Sequence, residues 1–224
     1  MIIGHGGNKT DLARALGCSI DQIIDMSSNL NPLGPPDAIK AVICRHVDCI
    51  QSLPSPDAGG MVRKFAGFHE IDPGRVVAGN GTTWFIYTLP RALNLKKVLV
   101  AGPTYSDYKD ACRMNGTQVV YSMAKAANGF LPDLADLSQK AAGCDAVFIC
   151  NPNNPTGSLI PKDRLDALVK KHPHTLFVID ESYLPFVTDA EQRSFVTGTG
   201  SKNVVVLSSM SKIFCIPGLR TGFL

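Results

Sequence analysis

The sequence lacks an excess of charge of either sign. Its 224 residues carry 22 Lys and Arg against 19 Asp and Glu, a formal net charge of +3. So small a surplus gives no basic surface for nucleic acid or an anionic membrane. It also lacks an apolar run of 18 residues, and Met1-Ile2-Ile3-Gly4-His5 has no charged-then-apolar leader pattern. Nothing is therefore expected to span a bilayer or direct export. Cysteine spacing of the metal-binding or redox kind is missing as well. Cys18, Cys44, Cys49, Cys112, Cys144, Cys150 and Cys215 include no Cys-x-x-Cys pair, and their number is odd. The expectation is free thiols in a reducing cytoplasm, with no disulfide framework and no metal site.

What is present is a regular alternation from about Arg75 onward. Apolar runs at Val76–Ala78, Val98–Ala101, Val119–Tyr121, Ala146–Cys150, Leu176–Ile179 and Val204–Leu207 read as strands buried on both faces. Helical patterns lie between them, at Thr83–Ala92, Asp107–Met114, Leu134–Ala142 and Lys162–Lys171. That order predicts an α/β fold, a mostly parallel sheet flanked by helices. The first 60 residues differ. Short helices are expected at Thr10–Leu16 and Ala38–Val47, joined by Pro-rich loops at Asn31–Pro36 and Leu53–Gly60. Residues 1–36 are read as an arm or part of a small domain, and residues 37–224 as a large domain that is incomplete at its C-terminus.

Ligands of open α/β sheets bind beyond the carboxyl ends of the strands. Polar residues follow each predicted strand there: Gly79-Asn80-Gly81-Thr82-Thr83, Gly102-Pro103-Thr104-Tyr105, Asn151-Pro152-Asn153-Asn154-Pro155-Thr156-Gly157, Asp180-Glu181-Ser182-Tyr183 and Ser208-Ser209-Met210-Ser211-Lys212. The first is not a dinucleotide fingerprint, because Trp84 stands at the third Gly position. Taken alone it is a strand-to-helix turn with Thr as N-cap, although such a turn can also offer N–H groups to a phosphate. Asp180 alone reads as half of a salt bridge, and Lys212 alone as a surface lysine.

Together, Asn151–Gly157, Asp180–Tyr183 and the run from Ser209 through Lys212 and Arg220 to Gly222 resemble the fold type I pyridoxal-phosphate (PLP) enzymes, the aspartate aminotransferase superfamily. Within it, His5-Gly6-Gly7-Asn8, Asp25–Gly34 and Ala78–Thr82 resemble the threonine-phosphate decarboxylases, with histidinol-phosphate aminotransferases as near relatives. The resemblance implies that Lys212 holds PLP as a Schiff base. It implies that Asp180 pairs with the ring nitrogen, that Asn154 and Tyr183 hold the 3-oxygen, and that Tyr105 stacks on the ring. The phosphate would sit on the N–H groups of Gly81 and Thr82, with Ser209, Ser211 and Arg220 completing the cup. His5, Gly6, Asn29 and Asn154 would face a small phosphorylated amino-acid substrate.

The implied reaction is decarboxylation of O-phospho-L-threonine to aminopropanol phosphate, as in cobalamin synthesis. Histidinol-phosphate transamination is the alternative, and an inactive scaffold of the same fold a second. Whichever Cα bond stands perpendicular to the ring plane is the one that breaks, and the shared motifs leave that choice open. A cytoplasmic homodimer is implied, with the loop from Leu53 to Gly60 at its seam. Leu53 departs from the Tyr that relatives carry there, and Trp84 stands where relatives often have Glu; its indole is expected in the core.

Overall fold

The computed structural model describes residues 7–198 and 201–224. Among them a seven-stranded sheet runs in the order β1-β7-β6-β5-β4-β2-β3. The strands are β1 (Ala78–Asn80), β2 (Lys97–Gly102), β3 (Gln118–Met123), β4 (Ala146–Cys150), β5 (Leu176–Asp180), β6 (Val204–Ser209) and β7 (Thr221–Phe223). β2 to β6 pair parallel, and β7 lies antiparallel to both β6 and β1. The expected mostly parallel α/β sheet is present, with one antiparallel strand inserted beside β1.

Helices α1 (Lys9–Leu16), α2 (Asp37–Arg45) and α3 (Gly59–Phe68) precede the sheet. Helices α4 (Thr82–Ala92), α5 (Asp107–Met114), α6 (Leu134–Ala141) and α7 (Lys162–Lys171) connect its strands, and α8 (Ala190–Arg193) and α9 (Met210–Ile213) are single turns. None of the described helices is long and apolar enough to cross a membrane.

Alternate residues of the central strands feed two cores. On one face Val98, Val100, Phe148, Val178 and Leu207 pack with Phe85, Ile86 and Leu89 of α4 and Tyr108, Ala111 and Cys112 of α5. On the other, Leu99, Val147, Ile149, Phe177 and Ile179 pack with Leu137 of α6 and Leu165, Leu168 and Val169 of α7. Each of these larger side chains contributes roughly 1.5–3 kcal/mol by leaving water. Both faces being covered explains why the strands are unbroken apolar runs.

Four local expectations are corrected. The first strand begins two residues later than Val76, because Ala78–Asn80 are the residues in register with β7. Helix α3 replaces the end of the expected Leu53–Gly60 loop. Its Val62, Phe65 and Ala66 recur at helical spacing and cover Phe223, which compensates for the glycines at its start. The N-cap of α4 is Gly81, at φ 81°, and not a threonine, since this backbone conformation favours a residue without Cβ. Trp84 is 46% exposed, its indole edge-on to Phe85, because it lies on the outer side of α4.

Candidate active site

The parallel strands end together. Cys150 of β4 is in register with Asp180 of β5, and Asp180 with Leu207 of β6. The segments that follow therefore converge, and they bring Asp180, Asn154, Tyr183, Lys212, Tyr105, Ser209 and Ser211 to one edge.

Asp180 is 4% exposed. A salt bridge is not what holds it: Tyr108 Oη donates to its Oδ2 at 2.8 Å, and the Ser182 N–H donates to its Oδ1 at 2.9 Å. Burial pushes its pKa up, while the Ser182 and Tyr108 hydrogen bonds and the nearby Lys212 charge pull the other way. Lys212 lies beside the Tyr183 ring, with Nζ 6.0 Å from the centroid. Burial lowers its pKa and Arg220 repels its charge, against the attraction of Asp180. A lysine so placed is the one suited to nucleophilic work.

Asn154 Nδ2 donates to Tyr183 Oη at 3.4 Å, and its Oδ1 accepts from Asn29 Nδ2 at 2.9 Å. Burial pushes the Tyr183 phenol up to about 12, so it remains a neutral donor. Asn29 thus comes from the arm to the site. Its neighbour Asn31 fixes the approach: its N–H donates to the Lys212 carbonyl at 3.1 Å and its Nδ2 to the Ile213 carbonyl at 2.8 Å. The arm is seated on the backbone of the helix that carries the lysine.

The expected phosphate cup is built around close backbone approach. A Cβ on Gly81 would lie 2.8 Å from the Arg220 guanidinium, and one on Gly222 would lie 2.6 Å from the Thr82 nitrogen. Ser209 and Ser211 are buried beside it, the Ser209 Oγ accepting the Ser211 N–H at 3.3 Å. Of the two amides expected to serve an anion, that of Gly81 already donates to the Gly79 carbonyl at 2.8 Å. The Thr82 amide, in the first turn of α4, has no intrahelical acceptor and is the one suited to that task. Tyr105 stands above α5, edge-on to Tyr108 with ring centroids 5.8 Å apart, and burial pushes its phenol pKa up. A buried carboxylate at the base, a half-buried lysine opposite a phenol, and a glycine-lined cup bearing an arginine together fit a flat, cationic, phosphorylated ring.

His5 and Gly6 lie outside the described residues. Sequence reasoning missed Tyr108, Ser182 and the thiol of Cys150, which touches the Tyr108 hydroxyl. The only signal for Tyr108 was its helical spacing with Ala111 and Cys112, which marks the inward face of α5 but names no partner.

Residues 21–224 match the family model of aminotransferase class I and II. The chain is 31% identical over 223 residues to the threonine-phosphate decarboxylase of Salmonella typhimurium, covering 98% of this chain and 61% of that protein. It is also 31% identical to the histidinol-phosphate aminotransferase of Moorella thermoacetica, covering 95% and 55%. The crystal structure of L-threonine-O-3-phosphate decarboxylase from Porphyromonas gingivalis superposes with a TM-score of 0.76 at 30% identity, over 90% of this chain and 59% of that one. The chain thus spans about 60% of the length of these relatives.

Proposed function

The chain belongs to the aminotransferase class I and II family, a family of PLP-dependent enzymes, and from that premise we propose that its reaction is the decarboxylation of O-phospho-L-threonine to aminopropanol phosphate. PLP, when bound, supplies the electron sink for charge left at the substrate's α-carbon. Lys212 would carry the cofactor and afterwards move a proton at that carbon. Ionised Asp180 would accept a hydrogen bond from the ring nitrogen and keep a proton on it. Asn154 and Tyr183 would hold the 3-oxygen, and Tyr105 would cover one ring face. Thr82, Ser209, Ser211 and Arg220 would hold the phosphate, with Gly81 giving the room.

The observation that carries the substrate assignment is the seating of the arm. Asn29 bonds to Asn154, and Asn31 bonds to the backbone of Lys212 and Ile213. Asn29 and Asn31 are thereby tied to the reacting edge, where Asn29 supports recognition of an anionic substrate group. The similarity to a histidinol-phosphate aminotransferase favours a second reading, transamination of histidinol phosphate. One experiment separates them. With O-phospho-threonine and no oxo acid, carbon dioxide is expected. With histidinol phosphate and 2-oxoglutarate, glutamate formation without carbon dioxide in the first assay would overturn the decarboxylase reading. Borohydride trapping of PLP should label Lys212. Failure to take up PLP would instead favour an inactive scaffold.

We also propose a cytoplasmic homodimer, with residues 1–36 belonging to a small domain and residues 37–224 to the large one. Ile24, Met26, Leu33, Ile50 and Leu53 are each more than 80% exposed, an apolar surface suited to a second copy.

A further inference from the structure

Tyr108 takes part in no expected contact with cofactor or substrate, yet it is among the most completely buried large side chains, at 1% exposure. Its hydroxyl is spent on Asp180 Oδ2 at 2.8 Å, while the other carboxylate oxygen takes the Ser182 N–H. The carboxylate is therefore gripped at both oxygens, which fixes its plane. The Tyr108 ring is itself wedged, tilted against Phe148 at 5.5 Å between centroids and edge-on to Tyr105 at 5.8 Å. Cys150, in register with Asp180 on the neighbouring strand, lies against the same hydroxyl, its thiol donating to the Pro152 carbonyl at 3.2 Å.

We infer that Tyr108 is the positioning residue for the pyridine ring of the cofactor, holding Asp180 ionised and aimed at the ring nitrogen while its own ring backs the stacking Tyr105. The inference rests on the PLP reading above. A buried carboxylate stripped of one donor favours its neutral form. A neutral carboxyl group would offer a hydrogen where the ring nitrogen needs an acceptor. The hydroxyl thus acts on the cofactor only through Asp180, and its influence should vanish when the ring nitrogen is absent.

The test titrates purified protein with PLP and with 1-deaza-PLP, in which a CH replaces the ring nitrogen, following the visible absorbance of the bound cofactor. Tyr108→Phe keeps the ring and removes only the hydroxyl. It should weaken PLP binding by about tenfold, the scale of one hydrogen bond to a charged group, and 1-deaza-PLP binding by less than about twofold. In an Asp180→Ala background the added Tyr108→Phe change should leave PLP affinity unaltered. Equal losses for the two cofactors, no loss for PLP, or a further tenfold loss in the Asp180→Ala background would each overturn the inference and leave Tyr108 as packing alone. Failure of the unaltered protein to bind PLP would overturn the cofactor reading itself, and it is seen before any variant is made.

Discussion

The arm and the sheet are held by different forces. Among described residues 7–58, Ala13 alone is buried, whereas every residue of β4 and all of Val98–Gly102 in β2 are. The sheet owes its place to two apolar cores. The arm owes its place to a few polar bonds, and the ones that reach furthest end at the site: Asn29 on Asn154, and Asn31 on the carbonyls of Lys212 and Ile213. The proposed substrate contacts thus fall on the less buried part, as is usual for elements that meet ligands.

That contrast predicts a graded series of effects. Leu165, fully buried on the inner face of α7, should be the most costly to truncate: Leu165→Ala is expected to lower stability to urea by about 2–5 kcal/mol. Glu181 comes next. It is buried on the face opposite Asp180, its oxygens accepting from Ser194 Oγ and the Phe195 N–H. Burial raises its pKa from 4.5 to about 7. A carboxyl group raised in the fold contributes most below its unfolded pKa, and that contribution is lost as pH rises through about 7. Glu181 alone should therefore lower stability by on the order of 3 kcal/mol between pH 4.5 and 8. Urea titrations across that range should show a flatter slope for Glu181→Gln.

In the arm, Asn31→Ala should cost only about 1 kcal/mol. It should release the segment, however, so limited proteolysis ahead of α2 is expected to speed up while the urea midpoint barely moves. A large midpoint shift would show that the arm is part of the main cooperative unit. Leu53→Ser, at a side chain 97% exposed, should change monomer stability by less than about 0.5 kcal/mol. A dissociating dimer in sedimentation would then locate Leu53 at the seam.

The same contrast governs what could be read from the sequence. The bounds of β4, α5 and α7 agree with the expected Ala146–Cys150, Asp107–Met114 and Lys162–Lys171, because burial on a fixed face leaves a period in the residues. Asp180, Asn154, Tyr183 and Lys212 could be grouped because each ends or follows a parallel strand, and parallel strands end on one side. The partnership of Tyr108 with Asp180 spans 72 positions and depends on how α5 rests on the sheet, so no local pattern carries it. Helix α3 was hidden for another reason: Gly59, Gly60 and Gly67 mask a periodicity that packing against Val76 and Phe223 makes worthwhile.

The pairing of β1 with β7 sets an order of assembly. β1 has β7 as its strand neighbour in the sheet, and the cup at Gly81 is closed by Arg220 and Gly222. As the chain leaves the ribosome, β2 to β5 can find their partners in turn, but the edge of β1 stays unsatisfied until residues 221–223 emerge. Closing so long a loop is slow, and an open strand edge invites the wrong neighbour meanwhile. The corner formed by Gly81, Arg220 and Gly222 is therefore the last part of these seven strands to form during synthesis. A phosphorylated cofactor held at that corner as proposed would act only on chains in which it has formed, drawing them from the pool of less folded chains by mass action.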